Sequence, residues 1–165
     1  MNIDQAKQDI TTWITDFVEK PNALLNGWPP CPYARRARLE NKVDIRQGID
    51  VAEDLEVVDM QQFDVIALVY EPDHYDSVSF NRTVDLANQY TLASRGLIAL
   101  ADHPEDKEEV LGVSMNQGTW AIVFVQNLDK LNSHARMLAK QGFYQDWPEE
   151  YLKTLFSNRE DPRID

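Results

Sequence analysis

At 165 residues, 43% hydrophobic and 27% charged, the chain has a globular composition and the length of one domain, enough to bury roughly 68–70% of its unfolded surface. Its 16 Lys and Arg against 28 Asp and Glu give a formal net charge of -12, which repels phosphate backbones and anionic lipid head groups and excludes nucleic acid as the main partner. A lone cysteine cannot form an internal disulfide, no apolar run approaches the roughly 20 residues that span a bilayer, and residues 1–20 read as an amphipathic helix rather than a leader. A cytoplasmic protein with no membrane partner is expected.

In chain order, Ile3, Ile10, Trp13, Ile14, Phe17 and Val18 recur at helical spacing, with Asp4 as cap or first-turn acid, and this first helix ends before Pro21. Residues 22–30 read as an ordered loop, and a short second helix is predicted over 32–39 with Cys31 at its N-terminus. Val43 and Ile45 alternate with polar neighbours in a half-buried strand over 42–47, and 50–61 holds a helix. The nearly continuous apolar run 63–70 suits a central strand.

Ser77 is the expected cap of a helix over 78–90, and Gly96 restarts the chain into a buried strand over 97–101. The acidic, aperiodic stretch 103–118 reads as a loop, with 119–125 as a further strand. Leu128, Leu131, Ala135 and Leu138 mark a helix stopped by Gly142, and Pro148 begins a last helix carrying Tyr151, Leu152, Leu155 and Phe156. The pattern predicts an α/β or α+β fold: a single sheet of about four strands packed with helices and preceded by the N-terminal amphipathic helix. One domain over 1–165 is expected, with a loose tail after 158.

The concentrated chemical signal is Trp28-Pro29-Pro30-Cys31-Pro32-Tyr33-Ala34-Arg35-Arg36. Backbone N–H groups at a helix start and the nearby Arg35, Arg36 and Arg38 would lower the Cys31 pKa, making it a nucleophile or metal ligand. The same donors would instead hold a small anionic ligand, with Trp28, Tyr33, Arg35 and Arg36 as its binding residues. Beside these stands a plainer alternative, a rigid Trp-Pro-Pro corner in which Cys31 is a small buried residue.

Cys31-Pro32-Tyr33-Ala34 is similar to the glutaredoxin Cys-Pro-Tyr-Cys with Ala34 replacing the second cysteine. A glutaredoxin has a strand just before that motif and a later Val-Pro turn, whereas here a helix and a proline-rich loop precede it, so the likeness is superficial. More of the chain resembles an uncharacterised bacterial family with an early Trp-Leu, an Asn-Leu-Cys-Pro-Phe-Ala motif followed by basic residues and a strand, and later a His-Pro and a helical His-Leu-Leu. The matching pieces are Trp13-Ile14, Pro30 to Arg36, Lys42-Val43, His103-Pro104 and His134, and the resemblance implies no established activity.

Two apolar strands are each followed by an acid and an imidazole, Asp73-His74 and Asp102-His103, at the sheet edge where ligands of open α/β sheets bind. If those strands are parallel neighbours, His74, His103 and Asp102 would converge as ligands for a divalent transition metal, with Cys31 a further donor. Solvated turn residues are the alternative. His134, between Leu131 and Leu138, is expected as a hydrogen-bonded core histidine, and Trp120, Phe143, Tyr144 and Trp147 as core or pocket aromatics.

Two functions follow. One is a small enzyme with Cys31 and His103 as catalytic residues, acting through a thiolate or a metal on a small anionic substrate. The other is a non-catalytic accessory or regulatory domain whose aromatic, proline-rich loop docks on a protein partner.

Overall fold

The computed structural model describes residues 1–164 and has the expected mixed architecture of a four-stranded sheet packed with helices. The first helix, α1 (Ile3–Trp13), is capped by Asn2, whose side chain accepts from the Gln5 N–H at 3.1 Å, while Asp4 lies in the first turn. It continues as a π-helical turn, Ile14–Val18, in which the wider winding turns Trp13 and Phe17 onto one side, stacked with centroids 6.2 Å apart.

A loop and a 3-10 turn (Ala23–Leu25) lead to α2 (Ala34–Leu39), β1 (Val43–Gln47), α3 (Val51–Val57) and β2 (Val65–Tyr70). Next come α4 (Ser77–Ala87) with a π-helical end (Asn88–Leu92), β3 (Leu97–Asp102), the small hairpin β4 (Glu109–Val110) and β5 (Val113–Ser114), β6 (Ala121–Asn127), α5 (Leu128–Lys140) and α6 (Glu149–Leu155). The cap of α4 is Asp76 rather than Ser77, because its carboxylate accepts both the Ser79 N–H at 2.8 Å and the Ser79 hydroxyl at 2.9 Å. The acidic loop over 103–118 contains the β4–β5 hairpin, too short for a periodic signal.

The sheet order is β1-β2-β6-β3, with β1 parallel to β2 and β6 antiparallel to both its neighbours, which leaves β2 and β3 parallel but separated by β6. One face, carrying Ile66, Leu68, Tyr70, Leu97, Ala99, Val123 and Val125, packs on Val51 and Leu55 of α3 and Phe80 and Val84 of α4. On the other face, Ala67, Val69 and Ile122 meet Ala6 and Ile10 of α1 and Ile14 of its π-turn. A separate core gathers Leu25, Val110, Val113, Leu138, Phe143, Tyr144, Trp147, Leu152 and Phe156 from the loops, the hairpin and the last two helices.

This division positions the site. A helix about 10 Å across covers roughly two strands spaced about 4.8 Å apart, so α1 alone cannot cover four. The β3 side of that face, with Ile98, Leu100 and Asp102, is left to the gap between the sheet and the second core.

At its outer edge β3 would expose free backbone groups, and buried Asn88 satisfies those of Ala99 at its middle. Its amide donates to the Ala99 carbonyl at 2.9 Å and its oxygen accepts the Ala99 N–H at 2.8 Å, as a neighbouring strand would. Within the stretch after 158, residues 159–163 make side-chain contacts with the body of the protein. Arg136 pairs with Glu160, Arg163 with Glu149 at 2.8 Å and Asp161 at 2.7 Å, and Arg159 lies over the Phe156 ring at 4.8 Å.

Candidate functional site

Two adjoining cavities occupy the gap. The smaller, about 370 Å³, lies between the end of α1, α2, the sheet and α5, with Trp13, Tyr33, Arg36, Phe124 and His134 in its walls. The larger, about 590 Å³, lies over β3 between α4 and α6, and is lined by Asn88, Asp102, Glu108 and Tyr151 among others. Both share Trp13, Val18, Cys31, Leu100 and Phe124, so Cys31 stands at their junction.

Two elements hold the cysteine there. Its N–H donates to the carbonyl of Val18 at 3.0 Å, in the π-turn of α1, and its own carbonyl accepts the Ala34 N–H at 3.2 Å where α2 begins. Helix α2 thus starts at Ala34, with residues 31–33 in the turn before it. The Tyr33 and Ala34 backbone amides favour the thiolate, as the sequence suggests.

The thiol is nevertheless not acidic. Cys31 is exposed to the cleft, yet protein surrounds its sulfur, and this burial pushes its pKa up, outweighing the amides and Arg159. The expected cations are engaged elsewhere: Arg36 pairs with Glu40 at 3.0 Å, Arg38 forks onto Glu19 at 2.9 and 2.6 Å, and Arg35 is an exposed residue. The cation that does favour the Cys31 thiolate is Arg159, a half-buried guanidinium in the segment expected to be loose. Alkylation of Cys31 by iodoacetamide should therefore show an apparent pKa above the ordinary thiol range. Arg159→Ala should move it higher and Arg35→Ala should leave it in place, as read from rate against pH; a drop on Arg159→Ala would contradict this assignment.

The aromatic residues of the loop face inward. Trp28 packs edge-on against Phe143 at 5.6 Å, as part of the second core, and Tyr33 stacks on the His134 ring at 3.8 Å and 11°. Each ring thus has one aromatic partner within the protein. His134 is not the expected hydrogen-bonded core residue: it is a half-buried member of the cavity wall whose pKa is lowered, first by burial and then by Lys130. Phe143, Tyr144 and Trp147 are core, and Trp120 donates to Asp9 at 2.9 Å.

The expected metal and catalytic roles of the other histidines are corrected by geometry. His103 is 1% exposed, with Nε2–H donating to the Tyr75 carbonyl at 2.8 Å and Nδ1 accepting the Glu105 N–H at 3.1 Å, so both ring nitrogens are occupied. It packs against Phe80 and ties the loop after β2 to the end of β3. His74 lies exposed on the turn Pro72–His74, and Asp102 accepts from Asn116 at 3.2 Å and Gln117 at 3.0 Å. Among the described residues no group of three or more His, Cys, Asp or Glu is placed to hold a metal ion.

Glu108, Tyr151 and Arg159 are the residues that sequence reasoning missed. The Glu108 carboxyl is raised to about 7 by burial, with Asp102 and Asp106 adding to the effect, and burial likewise raises Asp102. Tyr151 counts in the sequence only as an apolar helix position, yet it lines the larger cavity near Glu108 and Asp102. A carboxyl raised by burial in a cleft is a candidate functional group.

Comparison of the chain with protein-family models, with curated proteins and with solved structures finds no match in any of the three. None of the helices among the described residues is long and apolar enough to cross a membrane.

Proposed function

We propose that this protein binds a small organic molecule in the cleft centred on Cys31, with the body of the ligand against Trp13, Leu100 and Phe124 and its polar end toward Glu108. The observation that carries this reading is the meeting of two cavities along a shared wall of Trp13, Val18, Cys31, Leu100 and Phe124, between two separate cores, with this largely apolar stretch in the middle and titratable groups on either side. Cys31 touches the ligand as a neutral thiol, and any covalent chemistry there requires the substrate to supply the activation. The Pro30 to Arg36 segment that resembles the bacterial family forms part of this cleft, in line with a role in binding.

Octanol, a neutral apolar probe, tests the reading. At ten times its dissociation constant it should slow alkylation of Cys31 about tenfold. Leu100→Trp, which fills the shared wall, should abolish both octanol binding by calorimetry and the protection. Absence of octanol binding, or binding that leaves Cys31 unprotected, would overturn the proposal.

A further inference from the structure

Strand β1 ends the sheet on one side, and its outer edge pairs with no other strand among the described residues. The Lys42 carbonyl accepts the Val65 N–H at 3.1 Å and the Gly48 N–H donates to Val69 at 2.9 Å, so Asp44 and Arg46 between them also turn their backbone groups toward β2. Val43, Ile45 and Gln47 turn theirs outward. Among the described residues nothing bonds to those N–H and C=O groups.

The charges on this strand match its own inverse. Two copies of β1 laid antiparallel about a two-fold axis at Ile45 set Asp44 of each opposite Arg46 of the other. These are the closer, non-hydrogen-bonded positions of an antiparallel pair, with α-carbons about 4.5 Å apart. Ile45 then faces Ile45 and Val43 faces Gln47, and every outward N–H and C=O of these residues finds a partner. Slipping the register by two residues sets Asp44 on Asp44 or Arg46 on Arg46, so charge selects one alignment.

The same charges turn away an apolar foreign strand, which would cover them without a counter-charge of its own. Large apolar side chains stand beyond both ends of the strand, Leu39 60% exposed and Ile49 87% exposed, and the antiparallel alignment carries Ile49 of one copy toward Leu39 of the other. The net charge of -12 on each copy opposes association. At physiological ionic strength that repulsion is screened over about 8 Å, so the contacts between strands about 4.8 Å apart set the alignment.

We propose that the protein forms a symmetric dimer through β1, joining the two four-stranded sheets into one across the two-fold axis. The proposal is independent of the cleft.

Sedimentation equilibrium of the full chain should show a mass that rises with concentration from 19.0 kDa toward twice that value. Arg46→Asp and Asp44→Arg each set like charge against like in this alignment and should stay at the monomer mass. An equimolar mixture of the two should recover the dimer, because their charges are then complementary. In the wild-type chain, hydrogen exchange at the Val43, Ile45 and Gln47 amides should slow about tenfold as the dimer forms, while the Asp44 and Arg46 amides hold constant. A wild-type chain that stays monomeric, a dimer that either variant retains alone, a mixture of folded variants that stays monomeric, or slowing without that alternation would overturn the proposal. Should a variant fail to fold, the exchange pattern of the wild-type chain decides.

Discussion

Gly48→Ala is expected to destabilise the protein by about 3 kcal/mol, lowering the melting temperature by roughly 6–12 °C. Gly48 follows β1 and donates its N–H to Val69 of β2 at 2.9 Å, which lays its α-carbon against the ring of Tyr70. A β-carbon there would stand 2.2 Å from the Tyr70 Cε1 and 2.3 Å from its Cζ. The ring cannot retreat cheaply. Tyr70 is 2% exposed, meets Tyr75 and Phe80 edge-on at 5.9 and 6.1 Å, and donates its hydroxyl to Asp54 at 2.8 Å. Displacing it would loosen the core between sheet and α4 and break that hydrogen bond. Denaturant melts of Gly48→Ala, Tyr70→Leu and the double variant check the cause: the double variant should be more stable than the sum of the two losses predicts. Strict additivity would mean that the ring is not the obstacle.

Glu108→Gln is expected to stabilise the protein by about 2 kcal/mol at pH 8 and to change little at pH 4. The folded carboxyl titrates at about 7, above its ordinary value of 4.5. Between those values the unfolded chain has released the proton while the folded chain retains it, so the folded state binds more protons and stability falls as pH rises. The loss is complete above pH 7. Raising a carboxyl's titration midpoint by one pH unit on folding costs about 1.4 kcal/mol, and partial solvent contact reduces the total here to about 2 kcal/mol. Glutamine is neutral at every pH and removes the loss. Denaturation midpoints of both proteins at pH 4 and pH 8 measure it; a difference that does not widen with pH would show that the carboxyl is well solvated.

Much of the fold was legible in the sequence because its signals are local. The apolar runs around Val65, Leu97 and Ala121 became β2, β3 and β6, and the helical spacings of Ile10 with Ile14 and of Ala135 with Leu138 became the buried sides of α1 with its π-turn and of α5. Asp4 took its place as the first-turn acid, and only the cap of α4 was displaced, by one position, where Asp76 offered the better acceptor. The hairpin β4–β5 escaped notice since two-residue strands have no period.

The site was legible in one residue. Cys31 stood out through its prolines and arginines, but its environment depends on burial and on which charge each arginine meets, and both are set by distant parts of the chain. Glu19 claims Arg38 from 19 residues away, and Arg159 approaches the thiol from the far end of the sequence. The histidines misled for a related reason. Placing β6 between β2 and β3 removes the adjacency that a metal site needed, and the carbonyl of Tyr75 takes the nitrogen that a metal would have bound.

The side chain of Asn88 also has a meaning for the protein in concentrated solution. Sheets grow by adding strands at their margins, and this one has two margins to guard. At β1 the task falls to charge, with Arg46 and Asp44 paired at 2.6 Å along the strand. At β3 it falls to a single amide that imitates the missing neighbour. Loss of that amide would leave a vacant margin beside apolar residues, and what begins as a defect within one molecule would become an invitation to the next.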